Sequence, residues 1–167
     1  MIDTIRLILF LECNMRCSYC CNEQERFSSK FVKKKFSEID FDKYKNICIT
    51  GGEPFLYPDK LFHTLFKLPW FKPTYIYTNG LRISNDHLQA LEYHPIRSFN
   101  IGLHTKGQLK AVNLNIEKYF PVRFMVQDKY YDEMLALYPE RLNKDNLKAW
   151  KLNECEMPNE DWVLLED

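Results

Sequence analysis

The sequence predicts an α/β fold with mainly parallel strands, arranged as a partial, laterally open (β/α)6 barrel of the TIM type. Three observations predict it. Short apolar segments alternate with helical or loop patterns along the 167 residues. The five glycines, Gly51, Gly52, Gly80, Gly102 and Gly107, lie at or just beyond the carboxyl ends of predicted strands, where α/β folds build their sites. Several strands carry apolar residues on one side and polar residues on the other, which a ligand-holding lumen explains and a fully buried parallel sheet does not, a sheet with one solvent-facing side being the alternative.

Six strands are expected: Thr4 to Leu11, Ile47 to Thr50, Thr74 to Thr78, Phe99 to His104, Val122 to Gln127 and Leu147 to Leu152. Between them, Asp59 to Leu68 and Asn85 to Tyr93 have helical spacing and open near an Asp or Ser/Asn cap, and Tyr131 to Tyr138 is a shorter helix. Lys30 to Lys35, with four lysines, is expected to be a solvated face. About six βα units fill the chain, whereas a full eight-stranded barrel usually needs over about 200 residues. A single domain over residues 1–167 follows, with no linker or auxiliary unit.

In the fourth strand Phe99, Ile101 and Leu103 share one side and Ser98, Asn100, Gly102 and His104 the other. In the fifth, Val122, Phe124 and Val126 oppose Arg123, Met125 and Gln127. The polar sides are expected to face the lumen, with Lys151 and Asn153 joining from the sixth strand. Arg123 and Lys151 would then favour an anionic substrate group. His104, Arg123 and Lys151 are the candidate catalytic residues on this reading.

Composition narrows the function. Apolar residues make up 46% of the chain, enough for a core and against disorder. Lys plus Arg and Asp plus Glu both total 23, so net charge gives no broad attraction to nucleic acid or anionic membrane. The apolar run Ile5 to Leu11 falls far short of the roughly 20 residues that span a bilayer and lacks a signal-peptide cleavage pattern. Of six cysteines, Cys13, Cys17, Cys20 and Cys21 crowd together, which favours a metal site in a reducing, cytoplasmic compartment over a disulfide framework.

The first strand runs into Glu12-Cys13-Asn14-Met15-Arg16-Cys17-Ser18-Tyr19-Cys20. Three thiolates in a CxxxCxxC loop can hold three irons of a [4Fe-4S] cluster and leave the fourth open. Zinc with Cys21 as a fourth ligand is the alternative, although adjacent Cys20 and Cys21 are poorly placed around one tetrahedral ion. Cys21, Cys48 and Cys155 otherwise read as packed small hydrophobes.

The loop, with Tyr19 just before its last cysteine, resembles the signature of the radical SAM superfamily. Thr50-Gly51-Gly52-Glu53-Pro54 and Tyr77-Thr78-Asn79-Gly80 match further family elements at successive strand ends, and the pattern runs from about Ile5 to Leu152. The resemblance implies an oxygen-sensitive enzyme whose cofactors are a [4Fe-4S] cluster, held by Cys13, Cys17 and Cys20, and S-adenosylmethionine. Reductive cleavage of S-adenosylmethionine would give a 5′-deoxyadenosyl radical that abstracts a substrate hydrogen.

The resemblance further implies that Tyr19 lies by the adenine, that Gly51 and Gly52 let backbone approach the methionine group, and that Glu53 accepts from its ammonium. Thr78, Asn79, Gly102 and Gln127 complete the expected cofactor-binding set. Family members often carry Ser and Asp where this chain has Gly102 and His104, so a hydroxyl contact is missing or moved. An open barrel suits a peptide or protein substrate. A nucleoside or nucleotide derivative is the alternative, a non-catalytic iron–sulfur or zinc protein is the alternative of another class, and an electron donor is an implied partner.

Overall fold

The computed structural model describes residues 2–151 and 159–166. Eight strands form one open, wholly parallel sheet: β1 (Thr4–Ile8), β2 (Val32–Lys35), β3 (Asn46–Thr50), β4 (Thr74–Thr78), β5 (Ile96–Leu103), β6 (Val122–Gln127), β7 (Leu147–Trp150) and β8 (Glu160–Glu166). Their spatial order is β2-β8-β1-β3-β4-β5-β6-β7, so among the described residues β2 and β7 are the edges and the sheet is open.

The fold class stands and the strand count is corrected from six to eight. All six expected segments contribute a strand. The first is shorter than expected, because Leu9 to Leu11 already belong to the loop that carries the cysteines. β2 lies inside the lysine-rich stretch; its burial is slight and its lysines suit an exposed edge. β8 returns from the end of the chain to insert between β2 and β1, in register Arg6 to Trp162. The expected Leu152, Asn153 and Cys155 lie outside the described residues.

Helices α1 (Glu25–Ser28), α2 (Pro58–Lys67), α3 (Asn85–Leu91) and α4 (Tyr131–Leu137) join short 3₁₀ turns in the connections. The Ser84 hydroxyl caps α3 by accepting from the His87 N–H at 3.2 Å. Leu61 and Leu65 of α2, Leu88 and Leu91 of α3, and Met134 of α4 are buried against one face of the sheet. That face presents Ile5, Leu7, Ile47, Ile49, Ile76, Phe99, Ile101, Phe124 and Leu147. Helices therefore cover the apolar side, and the opposite side of the same strands is left to form a site. Among the described residues no helix is long and apolar enough to cross a membrane.

Candidate active site

The side of the sheet away from the helices, together with the loops at its carboxyl end, encloses a cavity of about 290 Å³. Strand register explains its floor. Trp162, Arg6 and Cys48 are paired across β8, β1 and β3, and Tyr77 with Asn100, and Gly102 with Met125, across β4, β5 and β6. The Arg6 guanidinium donates twice to the Glu160 carboxylate, at 2.7 and 3.0 Å, and lies 4.5 Å from the Tyr77 ring centre and 5.3 Å from that of Trp162.

Cys13, Cys17 and Cys20 all line the cavity and all are free thiols. Burial raises the titration of Cys13 and Cys17, and the neighbouring thiolates add to it. A cation bound among them reverses that balance, which is the behaviour of a metal-ligating thiol set. Among the described residues no three His, Cys, Asp or Glu side chains close on one point as a single ion needs. Cys21 lines the same cavity and is disulfide-bonded, not the packed small hydrophobe expected. Cys48 is buried and free, and burial pushes its thiol up to about 11. The donor set thus fits a cluster held by Cys13, Cys17 and Cys20.

Two glycines set how the cysteine loop leaves β1. A Cβ on Gly52 would lie 1.6 Å from the Glu12 carbonyl oxygen, and one on Gly51 would lie 2.6 Å from that of Phe10. The protein's own backbone makes this close approach, and both glycines also line the cavity. Gly52 N donates to Phe10 O at 2.8 Å and Glu53 N to Glu12 O at 2.9 Å, stitching the cysteine loop to the turn after β3. Asn22, just past the cysteines, donates to the Gly51 carbonyl at 2.8 Å.

Glu53 is wholly buried and does not line the cavity. Its carboxylate accepts from the Phe55 N–H at 3.0 Å, the Thr78 hydroxyl at 2.7 Å and the Asn79 N–H at 2.7 Å. Burial raises its titration above the ordinary carboxylate range, and these three donors pull it back. Glu53 thereby ties the turn after β3 to the Thr78–Asn79 turn. Thr78 and Asn79 do line the cavity. Asn79 also reaches the cysteine loop, donating from its side chain to Asn14 Oδ1 at 2.8 Å.

Tyr19 stands on the opposite wall, with Trp150 5.7 Å away and His104 5.8 Å away, ring centre to ring centre. Its hydroxyl lies 3.0 Å from His104 Nδ1. Burial lowers the His104 titration and, with the Cys17 thiolate, raises that of Tyr19, so both are neutral near pH 7. Gly102 and His104 both line the cavity.

Three expected site residues fall elsewhere. Arg123 shares the face of Asn100 but is exposed, and Lys151 is exposed too; neither lines the cavity. Gln127 is buried close enough to Tyr19 to affect its titration, yet its amide is aligned for no hydrogen bond and it is not part of the cavity wall.

The sequence reading does not single out Gln108, Trp150, Trp162, Met15 or Arg6. Gln108 is buried and makes three bonds, donating to Asn79 O at 2.7 Å and Gly102 O at 2.6 Å and accepting from His104 N at 2.7 Å. Trp150, Trp162, Met15, Met125 and Arg6 complete the wall. Asn100 lines the cavity, as strand alternation predicts; it is buried, and among the described residues neither amide atom has a hydrogen-bond partner, which is the condition of a group awaiting a ligand.

Comparison with known proteins agrees with this arrangement. A model of the radical SAM superfamily matches residues 7–133. The GTP 3′,8-cyclase of Chlorobaculum tepidum is 25% identical over 164 residues, covering 94% of this chain and 48% of that protein. The probable GTP 3′,8-cyclase of Archaeoglobus fulgidus is 28% identical, covering 89% of this chain and 58% of that protein. The chain thus spans about half the length of these curated relatives. Among solved structures, native anSMEcpe with bound AdoMet superposes with a TM-score of 0.56 at 16% identity, over 90% of this chain and 52% of that one, a likeness of fold. The matched span covers most of the chain and contains all three cavity-lining cysteines, and the chain belongs to the radical SAM superfamily, a family of enzymes whose cofactors are a [4Fe-4S] cluster and S-adenosylmethionine.

Proposed function

We propose that this chain is a radical S-adenosylmethionine enzyme that abstracts a hydrogen atom from a peptide or protein. The observation that carries the reading is the convergence of three free thiols, Tyr19 and the ends of β3, β4 and β5 on one cavity. When bound, the cluster and S-adenosylmethionine supply a 5′-deoxyadenosyl radical by one-electron reductive cleavage.

The chain's own residues hold and shield that chemistry. Cys13, Cys17 and Cys20 would be the cluster ligands. Glu53 fixes the Thr78–Asn79 turn, and Asn79 in turn holds the cysteine loop through Asn14. Tyr19, Trp150, Met15 and Met125 make the wall largely apolar, which keeps water from a reactive radical. Lys151 and Arg123 have no part in this reading.

The substrate class is supported by charge and by access. Among the described residues lining the cavity, Arg6 is the only cation, and Glu160 already pairs it in a bidentate fork. A triphosphate needs several free cations or donors. The unpartnered Asn100 amide suits a peptide group instead, able to accept and donate at once. The open sheet admits a segment of a large substrate.

A nucleotide substrate is the second reading, favoured by the likeness to GTP 3′,8-cyclases. A discriminating experiment incubates the anaerobically reconstituted protein with reductant and S-adenosylmethionine, then adds GTP or a peptide library. Peptide-stimulated 5′-deoxyadenosine with a modified peptide supports the first reading. Stimulation by GTP alone overturns it in favour of the second.

A further inference from the structure

The edge strand β2 carries more positive charge than its surroundings balance. Lys33, Lys34 and Lys35 follow one another along it, and among the described residues none of the three lies within ion-pair distance of a carboxylate. Glu38, the nearest acid in sequence, turns its carboxylate to the Lys35 backbone N–H at 2.9 Å. The whole chain holds 23 acidic and 23 basic residues, so the missing counter-charge is local to this strand. A single lysine keeps an edge from pairing with a second copy, whereas three in a row repel one another and gain nothing within the chain.

Register shows on which side the charge lies. β2 runs parallel to β8, with Lys33 beside Leu164 and Lys35 beside Glu166, and side chains alternate along β8 from Trp162, which lines the cavity. Lys33 and Lys35 therefore stand on the cavity side of the sheet, both exposed, and Lys34 on the helix side beside the buried Leu165. Phe31, just before β2, joins this row to the cavity wall: its ring stacks on Trp162 with centres 5.6 Å apart and planes at 17°. Among the described residues β2 is an edge of the sheet, so the row borders its open side.

We propose that Lys33 and Lys35 hold an acidic segment of the substrate peptide or protein along the edge of β2, beside the residue that enters the cavity. This docking rests on the peptide reading and gives that substrate its charge. Inside and outside select differently. Among the described residues lining the cavity the only cation, Arg6, is already paired with Glu160, so an uncharged residue fits within, while the lysines at the edge attract carboxylates. The aromatic ring of the row is already stacked on Trp162 and the chain has no net positive charge, which favours a carboxylate-bearing peptide over a nucleic-acid strand.

Fluorescence anisotropy on the anaerobically reconstituted protein tests it with two labelled peptides of equal length, one alternating Glu and Ser and the other with Gln in place of each Glu. The Glu peptide should bind more tightly, and added salt should weaken it. Lys33→Gln with Lys35→Gln should weaken its binding about three- to tenfold, the range of two exposed ion pairs. Lys110→Gln with Lys118→Gln removes the same charge from exposed positions elsewhere and should match the parent. Equal binding of the two peptides by the parent, or equal loss in the two double variants, would overturn the proposal. Tighter binding of a labelled oligouridylate, lost in the β2 variant, would assign the lysines to nucleic acid and overturn it too. With peptide-stimulated 5′-deoxyadenosine formation intact, any of these results leaves the peptide reading standing, whereas stimulation by GTP alone would overturn that reading and the docking together.

Discussion

The Glu53 carboxylate accepts the backbone N–H of Asn79 at 2.7 Å, joining the turn after β3 to the turn after β4 beneath the cavity. With its bonds to Phe55 and Thr78, the group is spent on protein donors and wholly buried. Glu53→Gln must turn an amide N–H₂ toward one of those donors. It should destabilise the fold by about 1–3 kcal/mol in denaturant unfolding. Because the folded-state titration is raised, the stability Glu53 contributes is full below the unfolded-state value and falls as pH rises through the folded-state value. The Gln variant should lack that fall in a pH series of unfolding midpoints.

Gly52→Ala places a methyl group against the Glu12 carbonyl, where the contact is backbone on backbone and cannot give way. Separation of the cysteine loop from the β3 turn should follow, with loss of iron uptake on reconstitution. Gly107→Ala, whose added Cβ meets nothing within 4 Å, is the matched control and should retain full iron content.

Arg6 and Glu160 are 9% and 13% exposed at their side chains, so breaking the pair strands a charge in a mostly dry floor. Arg6→Met should cost about 3 kcal/mol by chemical denaturation, and Arg6→Met with Glu160→Leu should recover most of it. Arg123→Ala, at an exposed position, should stay within about 0.5 kcal/mol and leave turnover unchanged.

Cys48 is 5% exposed with its thiol pushed up to about 11, so almost none is thiolate at neutral pH. Iodoacetamide added to native, metal-free protein should modify the partly open Cys13 quickly and Cys48 only after unfolding. Peptide mapping by mass spectrometry reads both rates.

How far the sequence revealed this arrangement depends on the range of the interactions. The alternation of Phe99, Ile101 and Leu103 with Asn100, Gly102 and His104 is local, and it separated the helix side from the cavity side of β5. The glycine pair at 51 and 52 marked a close approach but not the identity of what approaches. β2 was hidden because a short lysine-bearing edge strand has no two-sided apolar signal. β8 was hidden because its partner β1 is about 150 residues away, and so was the Arg6–Glu160 pair. Gln108 was hidden for a different reason: nothing in a single glutamine after Gly107 announces that its amide will bridge three backbone groups. Alternation gives the face that Arg123 shares with Asn100 but not its depth along the strand, and Arg123 is exposed.

The most direct test of the central claim is metal and sulfide analysis of protein reconstituted anaerobically with iron and sulfide, for the parent chain and for Cys13→Ala, Cys17→Ala, Cys20→Ala and Cys48→Ala. About four irons per chain are expected in the parent and in Cys48→Ala, with no stable cluster in the other three. Stoichiometric zinc with no iron uptake, or full iron retention in any one of the three loop variants, would contradict it.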